Sequence, residues 1–280
     1  MSEGTEPTWT RITPWRQGHV LPQEAIVALG LAGTEQVEQT RAVVISHDCD
    51  LANEDLNVEP DVEVLIGQVV DKLDGNFAWG KSPRTLHLSM TRAAGSEVIE
   101  LVQTHRGTVP KSDLARFTPS ADHTLDQRGL STLRSWLSSR YNRAAFADTF
   151  VNRFRSEKGE ERLVSLLRSS GDLVSFVYFN IQGGHSVERA QGDPYIFTVV
   201  LVYDPGEDEE SSMDRAEQLA NRIDAELKSR LKNPTSLVLL DCVPLSESDV
   251  TVSQAKLLTQ WRLEYMTTRA DEQQPGPPAL

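Results

Sequence analysis

Five consecutive residues, Ser46-His47-Asp48-Cys49-Asp50, gather a hydroxyl, an imidazole, a thiol and two carboxylates at one point of the chain. Three kinds of chemistry compete for them. Cys49 could act as a nucleophile with His47 as its base, although the sequence identifies no third group to orient the base. His47, Cys49 and Asp50 could ligate a metal together with His19 or His87, although no Cys-x-x-Cys or His-Glu-x-x-His spacing accompanies them. Asp48 and Asp50 could instead bond nearby backbone N–H groups and close a turn, with Cys49 buried. The catalytic reading takes His47, Asp48, Cys49 and Asp50 with Arg41 upstream. It implies no metal and no cofactor.

A second constellation is basic and aromatic. Arg134, Arg140, Arg143, Arg153 and Arg155 are interleaved with Trp136, Tyr141, Phe146 and Phe154. Arginine binds phosphate through its planar fork, and aromatic faces stack bases. On this reading Arg84, Arg140 and Arg143 hold a phosphate. The opposing reading places the aromatics in a helical core, since their spacing is that of a helix face. Trp79-Gly80-Lys81-Ser82-Pro83 contains Gly-Lys-Ser, but Pro83 blocks the helix that a phosphate loop must open. Pro60-Asp61-Val62-Glu63 lacks the lysine of a nuclease core. His185 sits in a glycine-rich turn.

These residues need elements to position them. Residues 11–118 read mainly as strands and loops, with β-branched or alternating runs at 41–46, 62–70, 84–88 and 97–102 separated by Gly and Pro. Short strands at such intervals predict a small antiparallel barrel or sheet, and a small β-barrel-like domain is the expected form. Residues 119–170 predict a helical bridge, carried by Leu130, Leu133, Trp136, Leu137 and Tyr141 and then by Phe146, Phe150 and Phe154. Residues 171–267 predict an α/β sandwich of ferredoxin-like type: strands at 173–179 and 195–203, a helix from an N-cap at Ser211 to a stop at Asn233-Pro234, a strand at 237–240 and a last one near Trp261. The fold class is α+β. Residues 1–10 and 271–280 read as disordered tails.

The chain of 280 residues carries a formal charge of −13. Residues 1–120 hold 10 Lys and Arg against 17 Asp and Glu, residues 121–170 hold 9 against 6, and the remainder 9 against 18. Such a surface repels a nucleic-acid backbone everywhere except the middle segment. No apolar run approaches the roughly 18–20 residues of a membrane helix, and the acidic N-terminus is unlike a signal peptide. Two cysteines far apart exclude a disulfide framework. A cytoplasmic location follows as the expectation.

Trp15-Arg16-Gln17-Gly18-His19-Val20, Gly33-Thr34-Glu35-Gln36 and Arg41-Ala42-Val43-Val44-Ile45-Ser46 resemble the opening strand, the Gly-x-Glu-Gln loop and the following strand of PemK/MazF-type toxin endoribonucleases. The resemblance implies an SH3-like barrel over residues 11–118 and carries over Arg41 as the one catalytic candidate. Ser46–Leu51 and Trp136–Arg143 are also similar to segments of uncharacterised bacterial and phage-associated proteins, which implies a toxin–antitoxin or phage-defence setting but no activity. The expected function is that of a bacterial regulatory or interaction protein whose partner is another protein. The alternative is a hydrolase acting on RNA or a nucleotide at the Ser46–Asp50 cluster. No membrane partner is expected.

Overall fold

The computed structural model describes residues 8–33, 37–139, 146–251, 254 and 258–262. They form two units. The first holds the described residues up to Leu73 and Arg84–Leu137, and the second holds Asp74–Pro83 and the described residues from Ser138 to Arg262.

The first unit is built on one antiparallel sheet. Its elements are α1 (Gln23–Ala28), β1 (Thr40–Val44), α2 (Asp48–Ala52), β2 (Asp61–Val70), β3 (Thr85–Arg92), β4 (Gly95–Pro110), α3 (Lys111–Leu114) and α4 (Gln127–Ser139), with the strands ordered β1-β2-β4-β3. The predicted strands are present, but the sheet is open rather than closed into a barrel: β1 and β3 are its two edges. The outer side of β1 is taken by the segment before α1, where Gly18 N–H donates to the Val44 carbonyl at 2.8 Å and Leu21 N–H to that of Ala42 at 2.9 Å. Strand β2 is irregular between Leu65, which faces Arg106, and Gly67, which faces Leu101. A side chain at Gly67 would place its first carbon 2.6 Å from the Glu100 carbonyl oxygen, so only glycine fits the close approach there.

Both faces of this sheet are covered, which explains why β1 reads as a continuous apolar run. Ala42, Val44, Val62, Val64 and Val109 pack on one face with Trp15, Leu21, Ile26, Leu51 and Leu114. Val43, Ile45, Leu65, Leu86, Ile99 and Leu101 pack on the other with Leu133 and Trp136 of α4. Helix α4 starts where the Asp126 carboxylate accepts the Gly129 N–H at 2.6 Å.

The second unit contains α5 (Asp148–Ser156), α6 (Gly159–Leu167), β5 (Val174–Ile181), β6 (Tyr195–Tyr203), α7 (Glu209–Arg230), β7 (Leu237–Ser246) and β8 (Thr259–Gln260), its sheet ordered β7-β6-β5-β8. Helix α7 connects β6 to the parallel strand β7, and these two strands are direct neighbours. In a ferredoxin-like sheet a strand separates such a pair, so the expected subtype gives way to an unsplit β-α-β unit extended by the antiparallel strands β5 and β8. The core is aromatic: Phe150 and Phe154 of α5 meet Phe179, Phe197 and Trp261 edge-on at centroid distances of 5.4 to 6.2 Å. Asp208, rather than Ser211, caps α7 by accepting the Ser211 N–H. The predicted helical bridge is divided, with α4 in the first unit up to Leu137 and α5 and α6 in the second.

The excursion Asp74–Pro83 leaves the first unit between β2 and β3 and belongs to the second. It is fastened there along its length. Gly75 N–H donates to the Arg168 carbonyl at 2.9 Å, Trp79 Nε1–H to that of Gly171 at 2.6 Å, and Arg262 to that of Gly80 at 2.9 Å. Trp79 holds a left-handed φ of 59°, rare for a bulky side chain.

Candidate functional site

The Ser46–Asp50 cluster is not a bare strand end. It is the entrance to α2, and the side chains of Ser46, His47 and Asp48 are turned onto the backbone. Ser46 Oγ accepts the Glu63 N–H at 2.8 Å. His47 stands in extended conformation as the N-cap of α2, with Nδ1 accepting the Cys49 N–H at 3.2 Å. A ring nitrogen that accepts carries a lone pair, so the neutral His47 ring bears its proton on Nε2 and Nδ1 is engaged with the backbone rather than with the thiol. Asp48 Oδ1 accepts the Gln17 N–H at 2.8 Å, and Oδ2 lies 3.4 Å from Arg134. Gln17 completes the knot: its amide donates to the Ile45 carbonyl at 2.8 Å and accepts from Arg134 Nε at 2.7 Å.

The far end of α2 is held by a lysine that sequence reasoning missed. Lys111, fully buried, donates from Nζ to the carbonyls of Asp50 at 2.6 Å and Asn53 at 2.8 Å at the end of the helix, where the Asp50 carbonyl also accepts the Asn53 N–H at 3.2 Å. Burial holds its ammonium below the ordinary lysine range, offset in part by the charges of Glu59 and Asp50. Trp9 Nε1–H donates to the Leu51 carbonyl at 2.8 Å, and the Lys111 ammonium stands 5.7 Å from the Trp9 ring. His47, Cys49 and Asp50 are exposed and Asp48 half-buried, so the thiol that the turn-closing reading would bury faces solvent. Among the described residues no group of three or more His, Cys, Asp or Glu is placed to hold a metal ion.

Arg41 is elsewhere. It lies on the Val43 face of β1 and is buried against Glu97 of β4, with Nε to Oε1 and Nη2 to Oε2 both 2.8 Å. Its remaining nitrogen donates to the Glu38 and Thr40 carbonyls. Glu97 also accepts from Arg92 at 2.9 Å and His123 Nε2 at 3.1 Å, and Arg92 is paired in turn with Asp122. Burial pushes the Glu97 carboxyl up, but the hydrogen bonds and charge of Arg41, with those of His123, outweigh it and hold it below its ordinary value. No spacing signal links Arg41, Arg92, Glu97 and His123 in sequence; the sheet assembles them.

The other candidates are dispersed. His19 Nδ1 accepts the Arg16 N–H at 3.1 Å, and burial together with the Arg16 charge lowers its pKa. His87 pairs with Glu100 at 3.0 Å across β3 and β4. It stands on the edge strand opposite β1, and its neighbours in sequence, Leu86 and Leu88, point to the Val43 face. Arg84 is half-buried before β3, its carbonyl accepting from Gln103. Arg140 and Arg143 lie outside the described residues, as do Glu35 and Gln36 of the toxin-like loop. Arg153 donates to the carbonyls of Arg189, Ala190, Asp193 and Ser236, and Arg155 pairs with Glu160. His185 lies 5.8 Å from the Phe146 ring. Lys81, of the Gly-Lys-Ser run, is fully buried and donates to the Val174 carbonyl; burial lowers its pKa to about 7 against the opposing charges of Asp172 and Asp74.

The fold and this arrangement define an α+β protein of two units with a backbone-tied polar knot in the first. No family model, no curated protein and no solved structure matches the chain. Among the described residues no helix is long and apolar enough to cross a membrane.

Proposed function

We propose that this chain is a bacterial regulatory or interaction protein that works in the cytoplasm, in a toxin or phage-conflict setting, by binding another protein. One observation carries the reading: three side chains of the Ser46–Asp50 cluster are engaged with the backbone, the His47 ring capping α2 and the Ser46 hydroxyl and Asp48 carboxylate tying its entrance to Glu63 and Gln17. Arg41, the residue that the toxin resemblance offers for RNA cleavage, neutralises a buried glutamate. The cluster then serves as an architectural joint that presents His47, Cys49 and Asp50 on a short exposed turn. The acidic surface, with a net charge of −13, disfavours nucleic acid and favours a basic protein partner.

The test is affinity purification of the tagged chain from its native cell, with His47→Ala/Cys49→Ala in parallel. A specific protein partner weakened by the double variant is the expected result. Recovery of no partner, together with RNA or nucleotide hydrolysis by the purified chain that the same variant abolishes, would instead establish a hydrolase at the cluster.

A further inference from the structure

A second, separate array lies at the Glu97 end of the first sheet. Glu97 is ionised and surrounded by donors, so it only accepts, and the nitrogen of His123 facing it at 3.1 Å must carry a proton. In the neutral ring this leaves the lone pair on Nδ1, which lies 2.8 Å from Ser120 Oγ. The hydroxyl therefore donates to Nδ1 and Nε2–H donates to the carboxylate. The relay runs from hydroxyl to imidazole to carboxylate, as an activated serine requires. Each member is positioned by the fold. Ser120 is tethered through its N–H to the Val20 carbonyl at 2.9 Å. Thr124, next to His123, exchanges two backbone hydrogen bonds of 2.9 Å with Thr91 of β3. Glu97 is fixed by the bidentate Arg41. The side chains of Glu97 and His123 are 7% and 9% exposed while Ser120 is half-buried, so the array is most accessible at its Ser120 end.

We propose that Ser120, His123 and Glu97 form an acyl-transfer site, with Ser120 as nucleophile, His123 as general base and Glu97 as the group that orients the ring. This goes beyond the interaction reading and does not depend on it. Ser120 Oγ adds to the carbonyl carbon of an ester while its proton passes to His123 Nδ1. The ester C–O bond breaks and the alcohol leaves with that proton. Water then attacks the acyl-serine by the same route, releasing the acid and restoring the hydroxyl. Glu97 stabilises the imidazolium formed in each half. Arg41 and Arg92 are matched by Glu97 and Asp122, so the neighbourhood carries no surplus positive charge for a phosphate. The substrate class is an uncharged carboxylic ester.

The experiment treats the full chain with a fluorophosphonate probe and maps the modified peptide by mass spectrometry. Modification at Ser120 is expected, slowed about 100-fold in His123→Gln, the usual range for loss of a general base. As a second readout, Ser120→Cys should be alkylated by iodoacetamide faster than Cys49, and the addition of His123→Gln should remove that advantage. A parent chain labelled no faster at Ser120 than at its other serines overturns the proposal. So does a Ser120→Cys thiol whose rate is indifferent to His123.

Discussion

Lys111 Nζ lies 2.6 Å from the carbonyl oxygen of Asp50, a residue 61 positions earlier, and so closes the C-terminal end of a helix of only five residues. An isolated helix of that length has no stability of its own. Its presence depends on the cap at His47 and on this lysine. Lys111→Met keeps the packing of the stem and removes the donors. We expect a loss of about 1.5–3 kcal/mol, the range for hydrogen bonds from a charged group, read from urea denaturation. Faster alkylation of Cys49 should accompany it as α2 frays.

Arg41 and Glu97 should behave as a pair. Glu97→Gln leaves a buried guanidinium without its counter-charge and should cost about 3–5 kcal/mol. Arg41→Met combined with Glu97→Leu should be less destabilised than either single variant, which a double-mutant cycle measures. The carboxyl has a folded pKa below its unfolded value, so its contribution is present above the unfolded carboxylate pKa and lost as pH falls through the folded one. Urea midpoints taken at pH 7 and downward through the acid range should fall in the parent more steeply than in the double variant.

Lys81 shifts stability in the same direction with pH, but in an alkaline window. Its folded pKa is lowered to about 7 by burial. Between that value and the ordinary lysine pKa the unfolded chain binds more protons than the folded one, so stability rises with pH over that window. Stability should climb by about 1 kcal/mol per pH unit between pH 7 and 9, bounded by the 1.36 kcal/mol that one proton contributes. Lys81→Met should flatten this slope.

The two thiols should separate cleanly. Cys49 is exposed and Cys242 buried, and burial, with the charges of Asp224 and Asp241, pushes the Cys242 thiol far up. A native thiol titration should find one fast group, absent in Cys49→Ser, and two after denaturation. A fast group that persists in Cys49→Ser would contradict this placement.

Much of the scaffold was legible in the sequence. β-branched runs located β1, β2 and β6, and helical periodicity marked Leu133 and Trp136 as one apolar helix face, which the structure packs on the sheet rather than on a second helix. What escaped has physical reasons. Strand order is settled by long-range pairing, so neither the openness of the first sheet nor the adjacency of β6 and β7 could be read from local pattern. Helix α2 was invisible because five residues span too little for a period, and its stabilising lysine lies beyond any local window. The cluster Ser46–Asp50 drew attention through its density of reactive side chains, but density does not say whether hydrogen bonds point inward. Glu97 and His123 had no such density and are joined only through the sheet.

The excursion from Asp74 to Pro83 makes the two units topologically inseparable. The polypeptide passes from one unit to the other at 73/74, returns at 83/84 and leaves again at 137/138. A single crossover in the gene at the last boundary would strip the second unit of the segment that carries Lys81 and Trp79 and leave that segment stranded on the first. The two halves therefore travel as one heritable piece, unlike beads on a string that can be shuffled one at a time.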